Sequence, residues 1–392
     1  MSNAIVIVAA KRTPIGSFQG QFAPVKATDL GSTAMSAALT EAGIDGGDIS
    51  EVIFGCVLPA GLGQAPARQA AIGAGIPVGI GCTTINKVCG SGMKATMLAH
   101  DTISAGGASI IMAGGMESMT NAPYLLLNAR QGMRMGHQEI IDHMFFDGLQ
   151  NPYDGNMMGQ FGEQCAGKYN FTREEQDTFS IASVERSLSA INSGAFDAEI
   201  APVTVKTRKA ETTVEKDEEP FRCNIEKIPQ LRPAFSKDGT VTAASSSSIS
   251  DGAAAIILMS AAEAEKRAIK PLARIVAQTG FAQEPEWFTT APIGAIRNVL
   301  SKAGWQPGDV DLYEINEAFA VVTMAAMKEL DLPREKVNVN GGACALGHPI
   351  GATGARIIIT LVHALRARKL RRGVASLCIG GGEATAIAIE VD

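Results

Sequence analysis

The chain has 392 residues, 46% of them apolar, and a formal net charge of −6. That length suffices for two sizeable cores, and the mild acidity without a basic face argues against a nucleic acid partner. Seven cysteines, an odd count with no C-x-x-C pair, argue against a disulfide framework, a structural zinc site or a thioredoxin-type motif.

Free thiols imply a reducing compartment. The apolar run at residues 2–10 is too short for a signal sequence and reads as a first buried strand. No run approaches membrane-spanning length, so a cytoplasmic, soluble protein with no membrane association is expected.

Taken in chain order, residues 5–10, 52–57, 83–88 and 109–113 have the apolar runs of short strands, and residues 29–42, 66–74 and 91–105 have helical spacing. Residues 118–250 differ in texture. They are rich in Met, Gln and Asn to about 165. One helix follows, opened by the capping box Thr172-Arg173-Glu174-Glu175 and stopped near Gly194. The charged stretch 206–219 reads as a solvated surface excursion. Strands then recur near 272–279, 312–316, 337–340 and 374–379, with helices near 292–303, 318–330 and 352–368. Such alternation predicts an α/β fold with a mostly parallel buried sheet clothed by helices.

The two ends of the chain repeat one another. Leu39-Thr40-Glu41-Ala42-Gly43 and Asp48-Ile49 return as Leu300-Ser301-Lys302-Ala303-Gly304 and Asp309-Val310, a shift of 261 in each case. Gly92 matches Gly354 at a shift of 262, and Ser109–Gly115 matches Ala375–Gly381 at 266. The second copy runs straight from its glycine turn into Ala384–Glu390. The first reaches the equivalent Ala253–Met259 only after the intervening segment. The expected organisation is therefore a first half from 1–117 plus 251–270, an inserted lobe at 118–250 suited to covering a substrate, and a second half at 271–392.

Three distant stretches carry chemistry. Asn86-Lys87-Val88-Cys89-Gly90-Ser91-Gly92 places a cysteine at a strand-to-helix turn, where the positive helix end favours thiolate. An ordinary thiol near pKa 8.5 is only a few per cent ionised at neutral pH, and a fall of one or two units would ionise most of it. A buried structural cysteine is the plain alternative. Gly347-His348-Pro349-Ile350-Gly351 holds an imidazole on a rigid turn, suited to activating a thiol or holding an oxyanion. The other histidines, His100, His137, His143 and His363, fit core or surface positions. Cys378-Ile379-Gly380-Gly381-Gly382 ends an apolar strand with a second thiol, an acid/base candidate. Asn316, opening Asn316-Glu317-Ala318-Phe319-Ala320, could cap a helix or hold a water with His348. The other five cysteines, Cys344 included, read as structural, and no phosphate-loop or G-x-G-x-x-G pattern is present.

Together with Arg12–Gly16, Gly63–Gln69, Gly114-Gly115-Met116-Glu117, Leu231–Phe235, Asp238–Ala243 and Gly341–Gly354, these motifs span essentially the whole chain, which resembles the thiolases. The resemblance implies the thiolase fold, two duplicated βα halves in a five-layer α-β-α-β-α arrangement with an inserted loop domain. It implies reversible Claisen condensation of two acetyl-CoA, with acyl-CoA and CoA as the partners and no cofactor or metal. Cys89 would carry the acyl group, His348 would activate it, and Cys378 would move the α-proton. His348 with a water on Asn316 would form one oxyanion hole, and the N–H groups of Cys89 and Gly380 the other. Ser247, Met158, Ala243, Phe235, Ala318 and Phe319 fall where the family contacts pantetheine or the acyl end, and Arg222 falls on the adenine side. A homodimer or homotetramer is usual.

Three departures bear on chain length and metabolic direction. They are Met157-Met158-Gly159 in place of His-Met-Gly, Phe288–Pro292 in place of Met-Gly-x-Gly-Pro, and Glu383-Ala384 after the last glycine cluster. The rival readings are a degradative 3-ketoacyl-CoA thiolase, a decarboxylative ketosynthase, a non-catalytic acyl-CoA carrier and a Cys89–Cys378 redox couple. The ketosynthase generally wants a second catalytic histidine where Asn316 stands.

Overall fold

A computed structural model describes residues 4–392. The first half supplies strands β1 (Ile5–Arg12) and β2 (Gly16–Ser17), helix α1 (Ala27–Ala42), β3 (Glu51–Gly55), α2 (Pro66–Gly73), β4 (Gly81–Ile85), α3 (Ser91–Ser104) and β5 (Ile110–Ser118). The middle segment holds β6 (Tyr124–Leu125), β7 (Ile141–Asp142), α4 (Met158–Tyr169), α5 (Arg173–Asn192), β8 (Val203–Lys206), β9 (Glu211–Val214) and α6 (Glu219–Arg222). Strand β10 (Ser250–Ser260) and α7 (Ala261–Lys266) lead to β11 (Ala273–Ala282), α8 (Ala291–Ala303), β12 (Leu312–Ile315) and α9 (Ala320–Leu330). Last come α10 (Ala343–Leu346), α11 (Ile350–Arg368), β13 (Arg372–Ile379) and β14 (Glu383–Glu390).

The strand orders β1-β10-β5-β3-β4 and β11-β14-β13-β12 are the same plan drawn twice, meeting at a short antiparallel ladder between β1 and β11. Helices α3 and α11 pack against each other and against strands of both halves. Helices α1 and α2 cover the far face of the first half, and α8 covers that of the second beside α9. The result is five layers with three apolar cores, one around the central helices and one under each outer pair. Ile350 through Leu365 of α11 are all buried. Its isoleucines and leucines each contribute roughly 1.5–3 kcal/mol of burial.

The repeat-matched glycines are where the central helices touch. A Cβ on Gly92 would stand 2.7 Å from the Ala355 nitrogen, and one on Gly354 would collide with the Met93 backbone. The matched positions thus form one mutual contact.

Five expectations need correction. The sheet is mixed, because among the described residues only β3–β4, β3–β5 and β12–β13 form parallel ladders. Strands β10 and β14 run antiparallel to both their neighbours, and β14 does so because Gly381 and Gly382 (φ 92° and 91°) fold β13 straight back on itself. Residues 337–340 form no strand. A single bridge from Val337 to Tyr313 is what remains at the place of β4, the Asn338 side chain instead bonding both backbone groups of Ile315. The inserted segment holds a second long helix, α4, whose N-cap is Met157, without the Ser, Thr, Asp or Asn cap of the kind that announces α5. The stretch 206–219 is not wholly solvated, since Asp217 is buried and, with Glu199, holds the buried Arg12 (2.7 and 2.5 Å). Finally, α11 is by length and composition apolar enough to cross a membrane, yet 89% of its most apolar window is buried, as a core helix requires. The capping box at Thr172–Glu175 is formed as expected.

Candidate active site

The turn between β4 and α3 is tight enough to force Val88 to φ 46°, an uncommon state for a β-branched residue. Two side chains hold it there. Asn86 Oδ1 accepts the Val88 N–H at 2.8 Å, and the Ser91 hydroxyl accepts the Lys87 N–H at 2.8 Å while donating to the Val88 carbonyl. Cys89 follows, half-buried, packed near Val57, Leu58, Met119, Met144 and Ile350.

Burial pushes the Cys89 thiol up to about 11, offset in part by the Gly380 N–H and its own N–H, while Glu117 adds to the rise. The expected thiolate is therefore not the resting form. Desolvation outweighs the two N–H groups. Cys378, the penultimate residue of β13, is fully buried. Its thiol is held well above the ordinary range by desolvation and then by the nearby Cys89 sulfur. The two thiols thus lie within electrostatic reach of each other, with the Gly380 N–H directed at the first.

His348 is buried, and burial followed by the charge of Arg356 lowers it to about 3, so the ring is neutral. Its Nδ1 lies 2.6 Å from the Thr353 hydroxyl, which itself donates to the Pro349 carbonyl at 3.0 Å. With that single hydroxyl proton committed, Thr353 accepts from Nδ1–H. Nε2 is then the basic nitrogen, and it is buried with no partner among the described residues.

Asn316 does not cap α9. Phe319 takes the N-cap position with extended backbone, and both polar atoms of the Asn316 side chain are buried and unpartnered. Orphaned groups of this kind are rare unless something binds them.

His348 opens on a cavity of about 190 Å³ lined by Met158, Phe235, Ser247, Ala318 and Phe319. All five were singled out from sequence. Met158 is also next to Gly380, its sulfur lying 3.5 Å from where a Cβ there would stand. Ala243 is exposed and outside this lining, and Arg222 is exposed on α6, paired with Glu218 at 3.4 Å. Sequence reasoning missed Met119, Phe145, Leu149, Ile249 and Ile350 on the cavity wall, whereas Met157 stands in the departure already tied to chain length. It also missed Thr353, whose only signal was its place one turn after Pro349.

A neutral thiol, a neutral imidazole with a free Nε2, a second dry thiol and unpartnered amide groups suit acyl transfer and proton movement at carbon. Known proteins agree with that class. The family model described as the thiolase N-terminal domain matches residues 5–262, and the one described as the thiolase C-terminal domain matches residues 269–391. The chain belongs to the thiolase family. It is 50% identical to acetyl-CoA acetyltransferase 2 of Arabidopsis thaliana over 99% of this chain and 97% of that one. It is 47% identical to the acetyl-CoA acetyltransferase of Pseudomonas aeruginosa over 99% of each. The crystal structure of the Bacillus anthracis acetyl-CoA acetyltransferase superposes with a TM-score of 0.97 at 43% identity, covering 99% of both chains.

Proposed function

We propose that this enzyme is an acetyl-CoA C-acetyltransferase. It joins two acetyl-CoA into acetoacetyl-CoA and free CoA, reversibly, through an acetyl group held on Cys89. The observation that carries the reading is a pair of thiols within electrostatic reach of each other in a fold that also keeps His348 Nε2 and both ends of the Asn316 side chain buried and unpartnered. The imidazole and the amide supply a base and a hydrogen-bonding hole.

In the first half-reaction Cys89 Sγ attacks the thioester carbon while its proton passes to His348 Nε2. With the thiol up at about 11 and the imidazole down at about 3, no ion pair stands ready, so the proton leaves as the S–C bond forms. The imidazolium returns its proton to the departing CoA sulfur. The Gly380 and Cys89 N–H groups hold the oxyanion. Acetylation removes the negative charge Cys89 would carry as thiolate, and with it one obstacle to ionising Cys378.

Cys378 passes its proton to His348 Nε2 and, as thiolate, takes the α-proton of the second acetyl-CoA. The enolate, held by the Nε2–H of His348 and a water on Asn316, attacks the acetyl carbon; the α-proton on Cys378 passes to Cys89 as its sulfur is released, and His348 returns its proton to Cys378. These steps use protein groups and thioesters alone, so no resident cofactor or metal is assigned.

The small cavity, walled by Met157, Met158, Leu149, Phe235 and Phe319, favours short acyl groups over the longer chains of a degradative 3-ketoacyl-CoA thiolase. Ser247, Met158, Ala318, Phe319 and Phe235 are assigned to the acyl and pantetheine end. The exposed Ala243 and Arg222 are assigned to outer stretches of CoA. A homodimer or homotetramer fits the half-open edge strand β4 and the exposed Tyr124, Leu126, Leu127, Met135 and Ile140 of the inserted segment. A reducing setting such as the cytoplasm keeps both thiols free.

Mixing the enzyme with acetyl-CoA and measuring intact mass should reveal one acetyl adduct, removable by free CoA. Thiolysis should be faster on C4 than on C8–C16 ketoacyl-CoA. Absence of the adduct would sink acyl transfer, and the opposite chain-length order would favour the degradative enzyme.

A further inference from the structure

Glu117 lies near the end of β5, fully buried, in a Gly-Gly-Met-Glu motif that the reaction above leaves unused. Among the described residues no lysine or arginine pairs with it. Its carboxylate accepts three backbone N–H groups instead. Two belong to the segment after β3, Val57 at 3.0 Å and Leu58 at 3.1 Å. The third is Gly351 at 2.9 Å, in the first turn of α11, three residues after His348.

The Val57 side of this clamp continues to the nucleophile. The Val57 carbonyl accepts the Asn86 side-chain N–H at 3.4 Å, and Asn86 holds the strained Val88 N–H at 2.8 Å. One carboxylate therefore ties the histidine turn, from the second half, to the cysteine turn, from the first. The approach is close on all sides. A Cβ on Gly351 would stand 2.6 Å from the Glu117 oxygen and 2.7 Å from the Met116 carbonyl, and one on Gly55 would stand 2.8 Å from the Gly351 carbonyl.

We propose that Glu117 is the positioning residue that sets His348 against Cys89, through Gly351 on one side and the Val57–Asn86 relay on the other. The inference rests on the acyl-transfer reading above. It adds that the two halves are registered at the active site by one buried anion.

As an anion Glu117 serves all three donors, and protonation ends that for one of them. Burial raises it to about 7 despite the three N–H groups, so the clamp weakens as pH falls through that value. The titratable groups facing it are the Cys56 thiol, its sulfur 3.8 Å away, and the Cys89 thiol. Both titrate well above pH 7, and His348, at about 3, titrates well below.

The test is single-turnover acetylation by acetyl-CoA, followed by quenched intact mass from pH 5.5 to 9. Wild type should lose acetylation rate as pH falls through about 7. Glu117→Gln should acetylate at least about tenfold more slowly with little change in the half-saturating acetyl-CoA concentration, because displacing reacting groups by an ångström has that kind of cost. It should also lack the limb near pH 7. Asn86→Ala, which leaves Glu117 in place, should slow acetylation as well and keep that limb, and its effect should add little to that of Glu117→Gln.

Wild-type rate in Glu117→Gln overturns the proposal, as does a limb that persists in that variant, which would point to Glu314 beside Arg356. If Glu117→Gln does not fold, a normal rate in Asn86→Ala overturns it instead. Failure of wild type to form any adduct would strike the acyl-transfer reading itself.

Discussion

The joint that leads into the central helix is built differently in the two halves. In the first, β4 reaches α3 through Asn86 to Gly90, a turn short enough to strain Val88. In the second, the strand has shrunk to one bridge at Val337, and the chain then makes α10 and the His348 turn before entering α11. The helices that follow are equivalent and meet at matched glycines, but a short joint fixes a sulfur and a long one carries an imidazole. The long joint has to be braced. Glu317 accepts from Cys344 N–H at 3.2 Å and Ser183 at 2.7 Å near its start, and Glu117 takes Gly351 at its end. A duplicated frame thus supplies rigidity, and asymmetry in its joints supplies the chemistry.

The sharpest way to break that comparison is to exchange the fates of the two cysteines. Cys89→Ala should abolish the acetyl adduct and reduce turnover by at least about 10⁴-fold, the scale seen when a covalent nucleophile is lost. An adduct that persists in mass spectra would move the nucleophile elsewhere. Cys378→Ala should still form the adduct yet lose 10²–10⁴-fold, roughly, in condensation and in α-proton exchange of acetyl-CoA with deuterated water. Normal exchange would remove Cys378 from the proton's path.

Much of this was legible in the sequence because the relevant signals are local. The duplication shows as constant spacing, and Cys89, His348 and Cys378 each sit in glycine-rich punctuation that betrays a turn. Strand direction was not legible, because a buried strand looks the same whichever way its neighbour runs. What reverses the expectation is the β13–β14 hairpin: the glycine turn before Ala384 shows in the sequence, but not that the next strand runs back along the last. The thiol's acidity was misjudged for a related reason. A helix end can be read from sequence, but the desolvation that raises the thiol depends on Val57, Met119 and Ile350 arriving from elsewhere. Asn316 shows the same limit from the other side. Its position suits a cap, and only the fold reveals that Phe319 takes that place and leaves the amide unpartnered.

A milder perturbation tests the shared frame. Gly354→Ala puts a methyl against the Met93 backbone, where the neighbour is main chain and has nowhere to rotate. Overpacking of this kind costs roughly 1–3 kcal/mol. Chemical denaturation should show a lower midpoint, and an unchanged midpoint would mean the central helices are free to separate, contrary to the mutual contact described.

The smallest effect concerns the tautomer of His348. Thr353→Val keeps the shape of the side chain but removes the hydroxyl that receives Nδ1–H, so the proton is no longer directed away from Nε2. Turnover should fall by about tenfold, since the ring keeps its place and loses only its preferred protonation. The KM for acetyl-CoA should be nearly unchanged, because Thr353 is fully buried and does not line the cavity. Thr353→Ser restores the oxygen and should restore the rate. If the serine variant is as slow as the valine one, the methyl group's packing matters and the hydroxyl does not, and the basic nitrogen of His348 must be fixed by another contact.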